Sequence, residues 1–270
     1  MKIPLIRTLR RVKLRCLMAW RYHRRIVDTP IQPVIIVAEA RTGSTLLADY
    51  LRCHSGVHVG GEVLNPFFAA GLRRKWISKR SAIRHIVHSL YYQPVRVSVV
   101  KLHLAHMAWH GVTLRDLEIA IPDVKFLVLY RGSLAEQFVS REIVRETRTF
   151  EDRQGRTQRV ESLKVDVGKF VEFAEGMRQE YEEAINTVSD HHRMCFVGYE
   201  ELAHNPSEAF ESRICPFLEM MPVELKTSLR KQNRKSLREL VENFEELEPH
   251  LEAHTLSFDL NSADAHANAI

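Results

Sequence analysis

Five consecutive residues, Arg-Thr-Gly-Ser-Thr at positions 41–45, combine one cation with three hydroxyl groups and a glycine. A β-branched apolar run at 34–37 precedes them, and an apolar-patterned helix at 46–51 follows. A strand, a tight turn and a helix in this order place several backbone N–H groups and a helix N-terminus around one anion. The sequence therefore predicts a loop that binds a phosphate-like group. The alternative is an ordinary strand-to-helix turn with serine and threonine caps.

The loop differs at one informative position from the loops that bind nucleoside triphosphates. The spacing from Ala38 to Gly43-Ser44-Thr45 is nearly that of a Walker A loop, but Ser44 stands where the phosphate-binding lysine is required. A cation is present earlier, at Arg41. This pattern favours a phosphate-like ligand other than the end of ATP with its Mg²⁺.

Residues 41–47, Arg-Thr-Gly-Ser-Thr-Leu-Leu, resemble the 5′-phosphosulfate loop of the sulfotransferases that use 3′-phosphoadenosine 5′-phosphosulfate (PAPS). The resemblance is to the bacterial and Golgi carbohydrate-type branch and covers roughly residues 33–250 in the family's order. It implies that the loop holds the 5′-phosphate and the sulfonate, and that it stabilises the leaving product PAP. The positions that the resemblance assigns to PAPS binding here are Arg41, Thr42, Gly43, Ser44, Thr45 and Leu46.

A second anion-binding pair follows the apolar run at 124–130. Arg131 stands at the end of this predicted strand, Ser133 is the predicted N-cap of the next helix, and Ser140 lies two helical turns on. A guanidinium and a hydroxyl so placed can converge on one phosphate. The pattern resembles the 3′-phosphate motif of the same family, with the serine one residue later than in the cytosolic enzymes.

Glu62 is the first candidate for a general base. It follows a short predicted strand, 57–59, and two glycines that predict a turn. The segment Gly61-Glu62-Val63-Leu64-Asn65 resembles one in carbohydrate-type sulfotransferases and implies that Glu62 takes the proton of the acceptor hydroxyl. The alternative is a surface glutamate near a turn.

Lys101 and His103 form a second polar pair at the end of an apolar run. They lie two residues apart, so they share one side of a continuing strand. The pair resembles the K-x-H of cytosolic sulfotransferases, in which the histidine is the base and the lysine binds at the sulfonate. His103 is therefore a second candidate base, and its alternative is a hydrogen-bonded histidine at a strand end.

Tyr199 follows another apolar run, 194–198. The segment Tyr199-Glu200-Glu201-Leu202 is similar to a family motif that implies contact between Tyr199 and the adenine. The alternative is a tyrosine packed on the core, with Glu200 holding a loop.

The apolar runs that carry these residues predict one α/β domain at residues 31–252, a P-loop-like parallel sheet with helices on both faces. The polar residues after the strands, near 38, 101, 130 and 198, should meet at one edge of the sheet. Further helices are predicted at 162–188, 207–219 and 223–247, a loop at 147–161, and a disordered tail at 253–270.

The first 30 residues predict a basic amphipathic helix. Nine lysines and arginines precede the first acid, Asp28, and an apolar stripe runs opposite most of them. Such a helix suits an anionic membrane, and the alternative is a helix docked on the domain. The net charge of +5 and the pI near 9.1 indicate an anionic partner, but the sequence holds no recognised nucleic-acid motif, so no nucleic acid is expected.

Cysteine usage and hydropathy predict a cytoplasmic protein. The basic helix at residues 1–30 leaves open the alternative of peripheral contact with the inner face of a membrane. The four cysteines, at 16, 53, 195 and 215, form no metal-binding or redox spacing and are expected to be buried, reduced thiols. The N-terminus lacks the apolar stretch of a signal peptide.

Together these patterns predict a PAPS-dependent sulfotransferase that acts on a hydroxyl of a carbohydrate or glycolipid, leaves PAP and requires no metal ion. Three alternatives remain at this point. They are a P-loop kinase-like phosphotransferase, a non-catalytic protein that binds PAP or another nucleotide, and a basic membrane- or nucleic-acid-binding protein.

Overall fold

The protein is represented by a computed structural model that describes residues 13, 16–17, 31–66, 77–91, 93–149, 160–230 and 235–258. One sheet of five parallel strands organises this part of the chain, in the order β2-β3-β1-β4-β5. The strands are β1 (Gln32–Ala38), β2 (Val57–Glu62), β3 (Val97–His103), β4 (Lys125–Tyr130) and β5 (Met194–Gly198).

Helices connect the strands and continue after β5. In chain order they are α1 (Ser44–Leu51), α2 (Lys79–Leu90), α3 (Leu104–Trp109), α4 (Leu114–Ala120), α5 (Leu134–Thr147), α6 (Val167–Asn186), α7 (Tyr199–His204), α8 (Pro206–Ala209), a π-helical turn (Phe210–Ile214), α9 (Cys215–Leu218), α10 (Leu237–Leu240) and α11 (Phe244–Leu247). Short 3₁₀ turns lie at His191–Arg193 and Glu248–His250. Ser133 caps α5 by accepting a hydrogen bond from Glu136 N, as predicted.

Both faces of the sheet are buried under helices, because alternate residues of β1 enter two separate cores. Ile36 packs in the same core as Leu47 of α1, whereas Ile35 packs in the core that contains Phe170 of α6. Each fully buried side chain of this size contributes roughly 1.5–3 kcal/mol of transfer free energy. The predicted α/β class, a P-loop-like parallel sheet with helices on both faces, is confirmed.

The chain after α9 departs from the predicted helix at 223–247. Residues 219–230 form no helix, since Lys226 N donates to Cys53 Sγ (3.3 Å) and Thr227 Oγ1 donates to Asp49 Oδ2 (2.9 Å). These bonds hold the segment across the end of α1. Only the short helices α10 and α11 form in the described remainder of that range.

The packed domain also extends beyond the predicted boundary at residue 252. Leu256 N donates to Gly132 O at 2.9 Å, and the Phe258 ring packs against Tyr130 with centroids 5.0 Å apart. Residues 253–258 are therefore held on the sheet by an apolar contact of Phe258, which the polar composition of the predicted tail does not indicate.

Several predicted features lie outside the described residues. These are the basic helix at 1–30 except residues 13, 16 and 17, most of the loop at 147–161, and the tail after 258. Among the residues described, no helix has the length and apolar character needed to cross a bilayer. All four cysteines are free thiols, but only Cys195 and Cys215 are buried, whereas Cys16 is exposed and Cys53 half-buried.

Candidate active site

The candidate site lies at the carboxyl ends of the strands, where the chain crosses from one side of β1 to the other. β1 pairs with β3 on one side and with β4 on the other. The register sets Ala38 opposite His103 and Ile36 opposite Lys101. The end of β1, from which the loop at 41–45 leaves, therefore lies beside the end of β3, and ligands of open parallel sheets bind at such a switch point.

The loop between β1 and α1 has an unusual backbone. Arg41 and Gly43 both have left-handed φ angles, 70° and 86°. Gly43 is the N-cap residue of α1 and provides no side-chain cap. Left-handed φ at a non-glycine residue costs energy and is concentrated at functional sites. The turn is therefore not the serine- or threonine-capped turn that was the alternative for this segment.

The loop hydroxyls are used in different ways. Thr42 is fully buried, and its Oγ1 donates to Glu39 O at 2.8 Å. Ser44 Oγ and Thr45 Oγ1 each accept from Lys101 Nζ at 3.5 Å. The Thr42 side chain is thus committed within the chain, whereas Ser44 and Thr45 connect the loop to β3.

Helix α5 brings the second predicted anion-binding pair onto the same loop. Arg41 Nε donates to Ser140 Oγ at 3.0 Å, and Gln137 Nε2 donates to Ala40 O at 2.9 Å. Arg131 Nη1 donates to Arg41 O at 3.5 Å. The structure therefore brings together Arg41, Arg131 and Ser140, although Arg41 is 90 or more residues from the other two in the sequence.

Arg131 is 6% exposed and is held from three sides. Its guanidinium lies 4.5 Å from the centroid of the Tyr199 ring and forms an ion pair with Glu136. Its Nε is buried and has no hydrogen-bond partner among the described residues. Stacking and the ion pair hold the guanidinium at the wall of a neighbouring cavity.

Tyr199 lies against the loop and does not pack on the sheet core. A Cβ atom on Gly43 would stand 2.5 Å from Tyr199 Cδ2, so the loop and the ring approach as closely as a glycine allows. The neighbouring Glu200 accepts from Gly132 N (3.0 Å) and Ser133 N (3.3 Å). It therefore holds the turn between β4 and α5, as the alternative interpretation of this segment predicted.

A cavity of about 360 Å³ opens between the loop, α5 and the chain after α9. Its lining includes most of the predicted cofactor residues, namely Arg41, Gly43, Ser44, Thr45, Leu46, Arg131, Ser140 and Tyr199. It also includes residues that the sequence analysis did not assign to the site, among them Tyr50, Glu136, Thr227, Leu229, Arg230 and Lys235. Thr227, Leu229 and Arg230 reach the cavity through the extended course of residues 219–230, whereas Tyr50 lies on α1 and Glu136 on α5.

Glu62, Lys101 and His103 form a compact cluster beside this cavity. Glu62 Oε1 lies 3.2 Å from Lys101 Nζ and 3.7 Å from His103 Nε2. Asn65 Nδ2 donates to Glu62 Oε2 at 2.6 Å. Since Lys101 also donates to Ser44 and Thr45, its ammonium connects the cluster to the loop at 41–45.

A β-bulge places Glu62 in this cluster. Val59 pairs with Val99 and Glu62 pairs with Lys101, so β2 has one residue more than β3 between these pairs. The predicted glycine turn is therefore part of the strand, with Gly61 at φ 81°. Because a shift of one residue reverses the side on which a strand residue points, the bulge decides that Glu62 faces the ends of β3.

The surroundings of Glu62 and His103 set the ionisation state of each side chain. Burial opposes ionisation of Glu62, but the charge of Lys101 and the hydrogen bonds from Asn65 and Lys101 outweigh it and hold the pKa of this carboxylate below its usual range. Burial also lowers the pKa of His103 to about 4, against the attraction of Glu62. At neutral pH Glu62 is therefore an anion and His103 a neutral imidazole, and both can accept a proton.

The same cluster has one carboxylate and two imidazoles close together. Ligand atoms of Glu62, His103 and His106 lie within 4.8 Å of one another. The two imidazole rings are stacked, with centroids 5.1 Å apart and planes 9° apart. Nearly parallel rings cannot both direct in-plane lone pairs at one ion between them, and the ammonium of Lys101 repels a cation. This arrangement is poorly suited to a metal ion held by both imidazoles.

Comparison with known proteins gives one family. A family model described as "Sulfotransferase family" matches residues 33–224. Comparison with curated proteins finds no match. Similar solved structures include a sulfotransferase from Alicyclobacillus acidocaldarius, with 17% identity, a TM-score of 0.45, and coverage of 82% of this chain and 94% of that one.

Two further solved structures are similar to the chain at low identity. One is the sulfotransferase domain of the olefin synthase from Synechococcus PCC 7002, with 15% identity, a TM-score of 0.43, and coverage of 91% of this chain and 98% of that one. The other is the mouse sulfotransferase SULT7A1 complexed with PAP, with 12% identity, a TM-score of 0.42, and coverage of 78% of this chain and 65% of that one.

Proposed function

The chain belongs to the sulfotransferase family, and we propose that it transfers a sulfonate group from PAPS to a hydroxyl of an acceptor and releases PAP. The observation that carries this proposal is the convergence of Arg41, Arg131 and Ser140 on one cavity at the uncapped N-terminus of α1. A nucleotide with phosphates at both ends of its ribose needs a cation for each phosphate, and the lining of this cavity includes both Arg41 and Arg131.

The two sites divide the cofactor between them. Arg41 and the N–H groups of residues 43–45 bind the 5′-phosphate and the sulfonate, in the manner of a helix N-terminus that binds an anion. Arg131 binds the 3′-phosphate with its guanidinium fork, and Ser140, whose Oγ accepts from Arg41 Nε in the structure, turns its hydroxyl to the same phosphate. Tyr199, whose ring lies against Arg131 and the loop, packs against the adenine under this proposal.

The cluster beside the cavity performs the proton transfer. The acceptor oxygen forms a bond to sulfur as the bond from sulfur to the 5′-phosphate oxygen breaks, and the acceptor proton passes to Glu62. His103 is the second base that the geometry allows, since its neutral imidazole lies 3.7 Å from the same carboxylate. Lys101 steadies the charge on the sulfonate. Catalysis of this kind rests on positioning and electrostatics.

The reaction needs no metal ion under this proposal. Arg41, Lys101 and Arg131 supply the positive charge that Mg²⁺ supplies to the end of a nucleoside triphosphate. The loop has Ser44 in place of the lysine of a nucleoside-triphosphate site, and that serine accepts a hydrogen bond from Lys101 on another strand. A cation is therefore provided from β3.

The acceptor that we propose is a hydroxyl of a carbohydrate or a glycolipid. The support is the resemblance of Gly61–Asn65 to carbohydrate-type enzymes, with Glu62 and Asn65 joined in the structure by a hydrogen bond. The basic residues in the first 25 positions would suit contact with an anionic membrane that carries such an acceptor.

Calorimetric titration with PAP, AMP and ATP with Mg²⁺ tests the cofactor proposal. We expect PAP to bind at least about tenfold more tightly than AMP, because AMP lacks the phosphate that Arg131 binds. Arg131→Ala should remove this preference. Arg145→Ala is the matched control, since Arg145 lies on α5 in an exposed ion pair with Glu142.

Two results would overturn the proposal. A preference for ATP with Mg²⁺ would indicate the kinase-like alternative. Tight binding of PAP without transfer of labelled sulfonate from PAPS to any of a panel of sugars and glycolipids would indicate a non-catalytic nucleotide-binding protein.

A further inference from the structure

Glu39 is a buried acid that the proposed reaction does not use. It is the first residue after β1 and lies two residues before Arg41, and it is 7% exposed. Its Oε1 accepts from Ala105 N at 2.7 Å and its Oε2 accepts from Ala40 N at 3.3 Å. One carboxylate thus joins the start of the anion-binding loop to helix α3.

The backbone of Glu39 is bonded to helix α6, which packs in the same core as α3. Its N–H donates to Tyr181 Oη at 3.1 Å, and that hydroxyl donates to Leu129 O at 2.7 Å. The Tyr181 side chain, from α6, is 1% exposed. Residue 39 is therefore held between α6, β4 and α3, immediately before the chain turns into the loop.

The bond to Ala105 replaces a cap that the local sequence does not provide. His103 is the N-cap residue of α3 and its side chain makes no cap hydrogen bond. The carboxylate of Glu39 satisfies an N–H group of the first turn from another element. Since Ala105 follows His103 by two residues, this bond sets where the end of β3 and its polar side chains stand relative to the loop.

We propose that Glu39 is a positioning residue that holds the Lys101–His103 end of β3 in place against the anion-binding loop through its hydrogen bond to Ala105. The proposal rests on the proposed function of the site. Its physical basis is that a charged acceptor makes a stronger hydrogen bond than a neutral one, and that a small displacement of reacting groups costs a large factor in rate.

The charges around Glu39 make this role dependent on pH. Burial raises the pKa of Glu39 to about 7, with repulsion from Glu180 of α6 in the same direction. The hydrogen bonds from Ala105 and Ala40 and the attraction of Arg141 on α5 act the other way. The other buried group beside it is the Tyr181 hydroxyl, whose pKa burial raises well above its ordinary value.

The base cluster titrates in a different range. The pKa of His103 is about 4 and the pKa of Glu62 lies below its usual range. A decline of activity as the pH falls through about 7 therefore belongs to Glu39, whose protonation weakens the bond to Ala105 N. A decline at more acidic pH, near the pKa of His103, belongs to the base cluster.

The test is the pH profile of kcat/KM for sulfonate transfer from PAPS. We expect a several-fold fall between about pH 8 and about pH 6 in the natural protein. Glu39→Gln should lower the plateau and remove this fall, since an amide cannot titrate and would set an NH₂ group against Ala40 N–H. Its affinity for PAP should stay within about threefold of the natural value, because Glu39 does not line the cavity.

Two neighbouring variants provide opposite controls. Glu180→Gln removes a negative charge and should move the midpoint to lower pH without changing the plateau. Arg141→Gln removes a positive charge and should move it to higher pH. A profile of Glu39→Gln that keeps both the plateau and the fall near neutral pH would overturn the proposal, as would midpoints that do not respond to the two neighbours.

Hydrogen exchange at the amides of residues 104–109 gives a readout that needs no turnover. Glu39→Gln should increase exchange there, whereas Glu180→Gln should not. If the natural protein transfers no sulfonate, the proposed function fails while this measurement still decides whether Glu39 braces α3. Unchanged exchange in Glu39→Gln would refute the proposal that Glu39 holds α3 in place. If Glu39→Gln does not fold, Tyr181→Phe repeats the test, since it loses only the hydroxyl that accepts from Glu39 N.

Discussion

Replacement of Gly43 by alanine tests whether the loop geometry controls nucleotide binding. Gly43 has a φ of 86°, where alanine is disfavoured by about 1–2 kcal/mol. The added Cβ would stand 2.5 Å from Tyr199 Cδ2, about an ångström inside normal contact. The ring must move, which disturbs its stacking on Arg131, worth about 0.5–1 kcal/mol. We therefore expect Gly43→Ala to lower the free energy of unfolding by about 1.5–3 kcal/mol.

The assay is urea unfolding combined with calorimetric titration of PAP. Affinity for PAP should fall by about tenfold or more, since the loop N–H groups and Arg131 both shift. Gly176→Ala is the matched control. Gly176 lies within α6, and an added Cβ there would meet no side chain or neighbouring element, so this change should stabilise the helix by about 0.5–1 kcal/mol and leave PAP binding unchanged.

A double-mutant cycle with Tyr199→Ala separates the two causes of the loss. Without the ring, Gly43→Ala should cost only the backbone contribution of about 1–2 kcal/mol. An equal loss with and without the ring would show that the contact with Tyr199 is not a constraint. Unchanged stability and PAP affinity in Gly43→Ala would refute the whole argument.

Three further changes probe the base, the arginine and the fold. Glu62→Gln should lower kcat by about 100-fold or more with little change in PAP affinity, which labelled PAPS and calorimetry together measure. Glu136→Gln should tighten PAP binding by about threefold, because the Glu136 carboxylate competes with a phosphate for Arg131, whereas Glu142→Gln on the same helix should have no effect. Glu118 has its pKa lowered to about 2, since hydrogen bonds from Ser189, Arg115 and Asp190 outweigh the opposing effect of burial. Glu118→Gln should therefore cost about 2–3 kcal/mol of unfolding free energy at neutral pH, and the difference should shrink as the pH falls from about 5 to about 2, which denaturation at several pH values checks.

The sheet was predictable because its strands are buried on both faces. A strand covered by helices on each side is apolar along nearly its whole length, and the runs at 34–37, 124–130 and 194–198 meet that condition, with Lys125 as the one charged residue. The prediction was wrong for residues 223–230, whose helical pattern is overridden by bonds from Lys226 and Thr227 to α1 and the residues after it. A local pattern cannot anticipate contacts with residues more than 170 positions away.

The sequence by itself determined the loop at 41–45 and the arginine that lies beside it, Arg131. Arg41, Gly43 and Arg131 occupy positions next to strand ends, and parallel strands bring their carboxyl ends to one edge whatever the intervening chain does. The same reasoning found Glu62, Lys101 and His103 as candidates. The sequence did not determine the side of β2 to which the Glu62 side chain points.

Only the tertiary structure decided how these groups meet. The bulge at Gly60–Gly61 turns Glu62 toward Lys101, α5 sets Ser140 and Glu136 beside the arginines, and Glu39 joins the loop to α3. Each of these arrangements depends on strand register or helix packing. A shift of one residue or a small rotation of a helix would separate the groups, and neither register nor rotation is encoded in the spacing of a motif.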